Sequence, residues 1–255
     1  MAHAELPSAE PLAQVEPRTL AGFKIAVYAD GADLKDMVEA YSSGLVHGFT
    51  TNPTLMRKAG VSDYEAWAKS ILEVIRDLPI SFEVLADEFG EMERQALIIA
   101  RWGQNVFVKI PITNTHGESS IPLVQRLVRE QVKVNVTALM TVRHVESVMR
   151  VLSPDIPAIV SVFAGRIADT GRDPVPIMRR AAKLVRQNPS ARLLWASPRE
   201  VFNVYQAEQC GCHIITATKP VLDKLPMRDM DLDELSRETV NMFYTDARAA
   251  GYVIG

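Results

Sequence analysis

Cysteine is nearly missing from this sequence: 255 residues hold two, Cys210 and Cys212. A single residue between them is too short a spacing for C-x-x-C redox chemistry or for paired zinc ligands. The expectation is two reduced thiols near a strand start, in keeping with a cytoplasmic location. Histidine is scarce too, and His3, His47, His116, His144 and His213 show no H-x-H, H-E-x-x-H or facial-triad spacing, so no metal site is expected. No G-x-G-x-x-G opens a helix, and neither a P-loop nor a G-x-S-x-G elbow occurs. Nothing therefore asks for a cofactor. Neither sign of charge dominates: the net charge is −3 and the pI about 6.0, which gives no general attraction for nucleic acid or anionic lipid. No run approaches the roughly 20 apolar residues of a membrane helix. Residues Met1–Gly22, rich in Ala, Pro and Glu, lack the basic start and apolar centre of a signal peptide and read as a flexible N-terminal arm.

What is present is a regular alternation. Eight short β-rich runs occur: Lys24–Asp30, Gly48–Asn52, Ile80–Ala86, Val106–Ile112, Val132–Leu139, Ala158–Gly165, Arg192–Ser197 and Cys212–Lys219. Their starts lie 24, 32, 26, 26, 26, 34 and 20 residues apart, the length of a strand–loop–helix–loop unit. Helical periodicity fills the gaps, most clearly at Asp63–Leu78, where Tyr64, Trp67, Ala68, Ile71, Leu72 and Ile75 share a stripe. Glu91–Trp102, Ser119–Glu130, Thr141–Leu152, Pro174–Gln187 and Pro198–Gln209 read the same way. An open doubly wound sheet and a closed barrel compete for this pattern. Eight units, and polar residues at alternate strand positions (Glu83, Lys109, Asn135, Thr137, Ser161), favour a single (β/α)8 TIM barrel over residues 23–220. Residues 221–255 add a C-terminal helix at about Asp231–Ala250, suited either to a neighbouring subunit in a homo-oligomer or to its own barrel.

Lys109 carries the sharpest chemical signal. In VFVKIPI, residues Val106, Val108, Ile110 and Ile112 form one face, so Phe107, Lys109 and Pro111 point into the barrel. Desolvation there disfavours the ammonium, and a neutral amine is a nucleophile toward carbonyl carbon, which is the requirement for Schiff-base catalysis. The alternative is a lysine that merely ion-pairs with Asp30 or Glu83. Those two carboxylates, at the end of strand one and inside strand three, are candidate acid/base groups. Thr50, Thr51, Asn52, Asn135, Thr137 and Ser161 supply strand-end groups that would hold a polyhydroxylated substrate. Arg166, and Arg199 beside Ser197, suit a phosphate at the loops after strands six and seven. Lys219, a second strand-end lysine, reads as a loop residue next to Pro220.

Taken together, Asp30, TTNPTL at Thr50–Leu55, Glu83, VKIP at Val108–Pro111, NVTAL at Asn135–Leu139, SVFAGRIAD at Ser161–Asp169 and ASPR at Ala196–Arg199 resemble the transaldolase family, in its short branch beside the fructose-6-phosphate aldolases. The resemblance runs from about Lys24 to Lys219. It implies a metal-free, cofactor-free class I aldol mechanism of carbohydrate metabolism, as in the pentose phosphate pathway. Lys109 would form an iminium with the C2 carbonyl of a ketose phosphate such as fructose 6-phosphate or sedoheptulose 7-phosphate. Glu83 with Thr137 would shuttle protons through a water, and Asp30 would take the C4 hydroxyl proton. Thr51, Asn52, Asn135, Ser161 and Phe163 would line the sugar, and Arg166, Ser197 and Arg199 would grip phosphate. The dihydroxyacetone unit left on Lys109 would pass to an aldose phosphate.

The chain departs from the family pattern at Gly31, commonly threonine, at Val162, commonly proline, and at Pro198 and Glu200 around the anion site. Three other outcomes compete with transaldolase: an aldolase that releases free dihydroxyacetone, a transaldolase-like enzyme with an unusual acceptor, and a sugar-phosphate binding protein without activity. As a family resemblance, Glu83 favours transfer, since the aldolase branch tends to carry glutamine there.

Overall fold

A computed structural model describes residues 23–254; the arm expected at Met1–Gly22 lies outside the described residues. Eight parallel strands close into a barrel in chain order: β1 (Ala26–Asp30), β2 (Gly48–Thr50), β3 (Ile80–Glu83), β4 (Val106–Pro111), β5 (Val134–Leu139), β6 (Ala158–Val162), β7 (Ala191–Trp195) and β8 (Ile214–Ala217). Pairing of β1 with β8, Tyr28 opposite Thr216, completes the circle and leaves no open edge. All eight expected strands are present, each shorter than its expected run: β1 and β5 start two residues later, β8 is trimmed at both ends, and the other five stop earlier at the C-terminal mouth.

Helices follow the strands, as right-handed crossovers require. The stripe read at Asp63–Leu78 forms the helix Tyr64–Val74, capped by Asp63 and burying Ala68 and Ile71. Four helices are not apparent in the periodicity: Leu34–Ser43, Pro53–Lys58, Ala164–Ala168 and Lys219–Leu222. The third of these corrects the expected strand Ala158–Gly165, since the chain turns helical directly after Phe163.

The strands bury two surfaces. Outward residues such as Phe49, Phe82, Val108, Val136 and Val160 pack under the helices and are fully buried. Inside, Tyr28, Phe107, Ile159, Leu194 and Ile214 form a cluster that plugs the barrel. Gly48 makes room for one member: a Cβ there would sit 2.6 Å from the Tyr28 ring.

Residues from Asp223 onward form a second unit, and the barrel unit ends at Leu222. Its helix Leu232–Ala249 starts at Asp231, whose carboxylate accepts from the Asp233 and Glu234 amides. None of that helix is buried, and Val240, Phe243 and Tyr244 are exposed on it. No helix among the described residues is long and apolar enough to cross a membrane.

Candidate active site

The inward side chains change character above the apolar plug. Lys109 lies two residues beyond Phe107 on the inner face of β4 and is 6% exposed. Its Nζ donates to the Thr51 carbonyl at 2.7 Å and lies 3.3 Å from Glu83 Oε2. Register sets this pair, because Glu83 is opposite Lys109 in the β3–β4 ladder. Tyr64 reaches in from its helix and donates to the Glu83 carbonyl at 3.0 Å, within an aromatic cluster of Tyr64, Trp67, Phe82 and Trp102. That packing holds the end of β3 rigid beneath the carboxylate.

Asp30 ends β1 opposite Thr50 of β2. Thr50 donates to Asp30 Oδ1 at 2.8 Å. Burial pushes the Asp30 carboxyl above its ordinary value of 3.8; the Lys109 charge and hydrogen bonds from Thr50 and Asn52 pull it back, and the Glu83 charge adds to the rise. Asn52 also caps the helix Pro53–Lys58, its Oδ1 accepting from the Leu55 amide at 3.0 Å. One side chain thus ties the start of a helix to the carboxylate.

A second polar string crosses the mouth. Ser161 donates to Asn135 Oδ1 at 2.7 Å, and Asn135 Nδ2 donates to Ser81 Oγ at 3.0 Å, all three being buried. Thr137 lies further along β5 at a register shift between Val136 and Leu139, where Ala138 adopts φ +61°. Bulges of this kind re-aim side chains at barrel rims. Thr137 is 2% exposed, yet its hydroxyl has no hydrogen-bond partner among the described residues. A buried unsatisfied hydroxyl of this sort is rare in packed cores and common where a reacting molecule binds.

The rim above β6 and β7 carries the arginines. Arg166 is exposed, with its guanidinium 5.9 Å from the Phe163 ring centre. Gly165 lets the β7 loop come close: a Cβ there would fall 1.5 Å from the Ser197 carbonyl oxygen, and Ser197 itself has φ +59°. Arg199 is engaged already, since its Nη2 and Nε both donate to the Asp169 carboxylate.

The mouth therefore gathers Lys109, Asp30, Glu83, Thr137, Asn52, Asn135 and Ser161, with Phe163, Arg166 and Ser197 on its β6–β7 side. Two residues expected at the substrate are placed differently. Thr51 follows the inward Thr50, so its side chain turns outward; its hydroxyl donates to the Ser81 carbonyl and is fully buried, and only its carbonyl reaches Lys109. Arg199 stands at the rim with its charge matched by Asp169. Sequence reasoning missed Ser81, Asp169 and Thr216. Ser81 is the one that strand phase alone would have found, two residues before Glu83 on the inner face.

This barrel mouth sets a near-buried lysine against Glu83, with Asp30 within reach of its charge, at the C-terminal ends of the strands. The sequence matches the Transaldolase/Fructose-6-phosphate aldolase family over residues 27–253, and the chain belongs to that family. It is 31% identical over 197 residues to a probable transaldolase of Dehalococcoides mccartyi, covering 77% of this chain and 88% of that one. A probable transaldolase 2 of Listeria monocytogenes is 31% identical over 210 residues, with 81% and 92% covered. A probable transaldolase of Roseiflexus is 33% identical over 212 residues, with 81% and 93% covered. Among solved structures, 3-hexulose-6-phosphate synthase from Salmonella typhimurium superposes with a TM-score of 0.54 at 13% identity, over 76% of this chain and 89% of that one. That likeness speaks for the fold alone.

Proposed function

We propose that the chain is a transaldolase that carries a dihydroxyacetone unit from fructose 6-phosphate or sedoheptulose 7-phosphate to an aldose phosphate, bound meanwhile to Lys109 as a Schiff base. The observation that carries this reading is Lys109 itself: nearly buried, inward, and seated between the Thr51 carbonyl at 2.7 Å and Glu83 at 3.3 Å. The ion pair orients the amine and offers its proton an acceptor in Glu83.

The neutral amine adds to the C2 carbonyl carbon, and the carbonyl electron pair moves onto oxygen, which is protonated to give a carbinolamine. Loss of that hydroxyl as water leaves an iminium. Glu83 and the unpartnered hydroxyl of Thr137 flank the place where this proton traffic occurs, and a water between them would relay it. Asp30 then takes the C4 hydroxyl proton; the C3–C4 bond breaks, its electrons neutralise the iminium as an enamine, and the aldose phosphate departs. The acceptor aldehyde enters and the same steps run backwards. Burial raises the proton affinity of Asp30, which suits a base that must accept an alcohol proton. Ser161 donates to Asn135, so its oxygen is left to accept from a sugar hydroxyl, while Asn135 keeps a second amide proton to donate. Arg166 and Ser197 face the phosphate end.

Incubation with fructose 6-phosphate, with and without erythrose 4-phosphate, tests this directly. Transaldolase activity gives sedoheptulose 7-phosphate only when acceptor is present. Repeated release of free dihydroxyacetone without acceptor would make the chain an aldolase. No conversion in either arm would contradict the proposal.

A further inference from the structure

A line of hydroxyls reaches Asp30 from the strand where the barrel closes. Thr50 on β2 and Thr216 on β8 flank β1 from its two sides, Thr50 opposite Asp30 and Thr216 opposite Tyr28. Thr50 Oγ1 donates to Asp30 Oδ1 at 2.8 Å and lies 2.5 Å from Thr216 Oγ1. Both threonines are buried, at 3% and 5% exposure, so solvent does not compete for these bonds.

The direction of the line follows from counting protons. A hydroxyl has one proton to donate. With Thr50's proton committed to the ionised Asp30, the proton in the bond between the threonines belongs to Thr216. The line then runs from Thr216 to Thr50 to Asp30, each bond polarising the next in a low-dielectric setting. When Asp30 is protonated on that oxygen, both hydroxyls can turn, the line runs the other way, and both hydrogen bonds survive.

We propose that Thr216 is a positioning residue for the aldol base: through Thr50 it holds one oxygen of Asp30, so the carboxylate meets the substrate hydroxyl in a fixed orientation and stays hydrogen-bonded in both protonation states. This rests on the reading of Asp30 as the base and Lys109 as the Schiff-base lysine. The charged groups facing Asp30 are Lys109 from β4 and Glu83 from β3, and Asn52 after β2 adds a hydrogen bond. Substitution at Thr216 changes none of them, so a shift in pH dependence would report on the hydroxyl line itself.

The test compares Thr216→Val, which removes the donor and nearly keeps the shape, with Thr216→Ser, which restores it. With fructose 6-phosphate as donor and erythrose 4-phosphate as acceptor, kcat of the valine variant is expected to fall by up to about tenfold, the effect of losing one buried neutral hydrogen bond. KM should stay near that of the unaltered protein. The acid limb of kcat/KM should move to higher pH by roughly half a unit or more, because the ionised carboxylate loses support. The serine variant should return to the parent profile. Borohydride trapping of dihydroxyacetone on Lys109 needs no C3–C4 cleavage and should be equal in all three proteins. Should the valine variant fail to fold, Thr216→Ala, also without a donor, carries the same expectation. Normal trapping with an unmoved kcat and pH profile overturns the role of Thr216 alone. A serine variant as impaired as valine overturns it too, by pointing to packing. Failure of the unaltered protein to trap dihydroxyacetone overturns the Lys109 reading and this proposal with it.

Discussion

Tyr28 and Asp30 both face the barrel axis on β1, as do Phe107 and Lys109 on β4, Ile159 and Ser161 on β6, and Ile214 and Thr216 on β8. One step of the strand's two-residue period separates a level that packs from a level that is polar. The lower level is satisfied by van der Waals contact alone, apart from the Tyr28 hydroxyl, whose ionisation burial opposes by pushing its pKa up. In the upper level nearly every polar group has a named partner: Lys109 with Thr51 and Glu83, Thr216 with Thr50 and Asp30, Ser161 with Asn135 and Ser81. Thr137 is the exception. The difference shows how a barrel tolerates charge in its interior. The plug excludes water from below and fixes the strands, and the polar groups above lean on one another instead of on solvent.

The comparison breaks most severely at Asp30. Asp30→Asn keeps the shape and an acceptor for Thr50 but removes the proposed base. Turnover of fructose 6-phosphate with erythrose 4-phosphate should fall by about 10²–10⁴-fold while the Lys109 adduct with dihydroxyacetone still forms. The same variant carries a stability signature. The Asp30 carboxyl is raised above 3.8 in the folded protein, so its contribution to stability is fully present below that value and lost as pH rises through the folded value. Stability of the asparagine variant relative to the unaltered protein should therefore improve as pH climbs from about 4, measured by denaturant melts across that window. A relative stability that falls as pH rises would contradict the burial argument.

At the lower level the expectation inverts. Phe107→Ala leaves a cavity in the plug and should cost about 3–5 kcal/mol of stability, seen as a lowered urea midpoint. Protein that remains folded should still form the Lys109 adduct, although a loosened β4 should slow it. Loss of the adduct at full stability would mean the two levels are not separable.

The smallest effect is expected at the rim. Asp169→Asn frees Arg199 from an exposed ion pair worth up to roughly 1 kcal/mol. KM for phosphorylated donors should drop by up to about fivefold, with kcat little changed and the gain erased by salt. An unchanged KM would place Arg199 outside the phosphate site.

How much of this could be read in the sequence depends on the range of the interaction that decides it. The eight strands and the inward face of Lys109 follow from local spacing and strand period, and so do Glu83, Asn135 and Ser161. The outward turn of Thr51 was hidden because TTNP offers two adjacent hydroxyls, and only the phase of the three-residue β2 chooses between them. The short helix at Ala164 starts inside an apolar run that looks like strand. Its start depends on Gly165 fitting under the Ser197 carbonyl, an approach made from another strand's loop. The Arg199–Asp169 pair spans 30 residues and the Thr50–Thr216 hydrogen bond spans 166, so neither leaves a local trace. The bulge at Ala138 has no glycine to announce it.

The most direct test of the central claim is intact-mass measurement after borohydride reduction in the presence of fructose 6-phosphate, on the unaltered chain and on Lys109→Met. The account predicts a gain of one reduced dihydroxyacetone unit on the unaltered chain and none on the variant. An adduct that persists in Lys109→Met, or none on the unaltered chain with either fructose 6-phosphate or dihydroxyacetone, would contradict it.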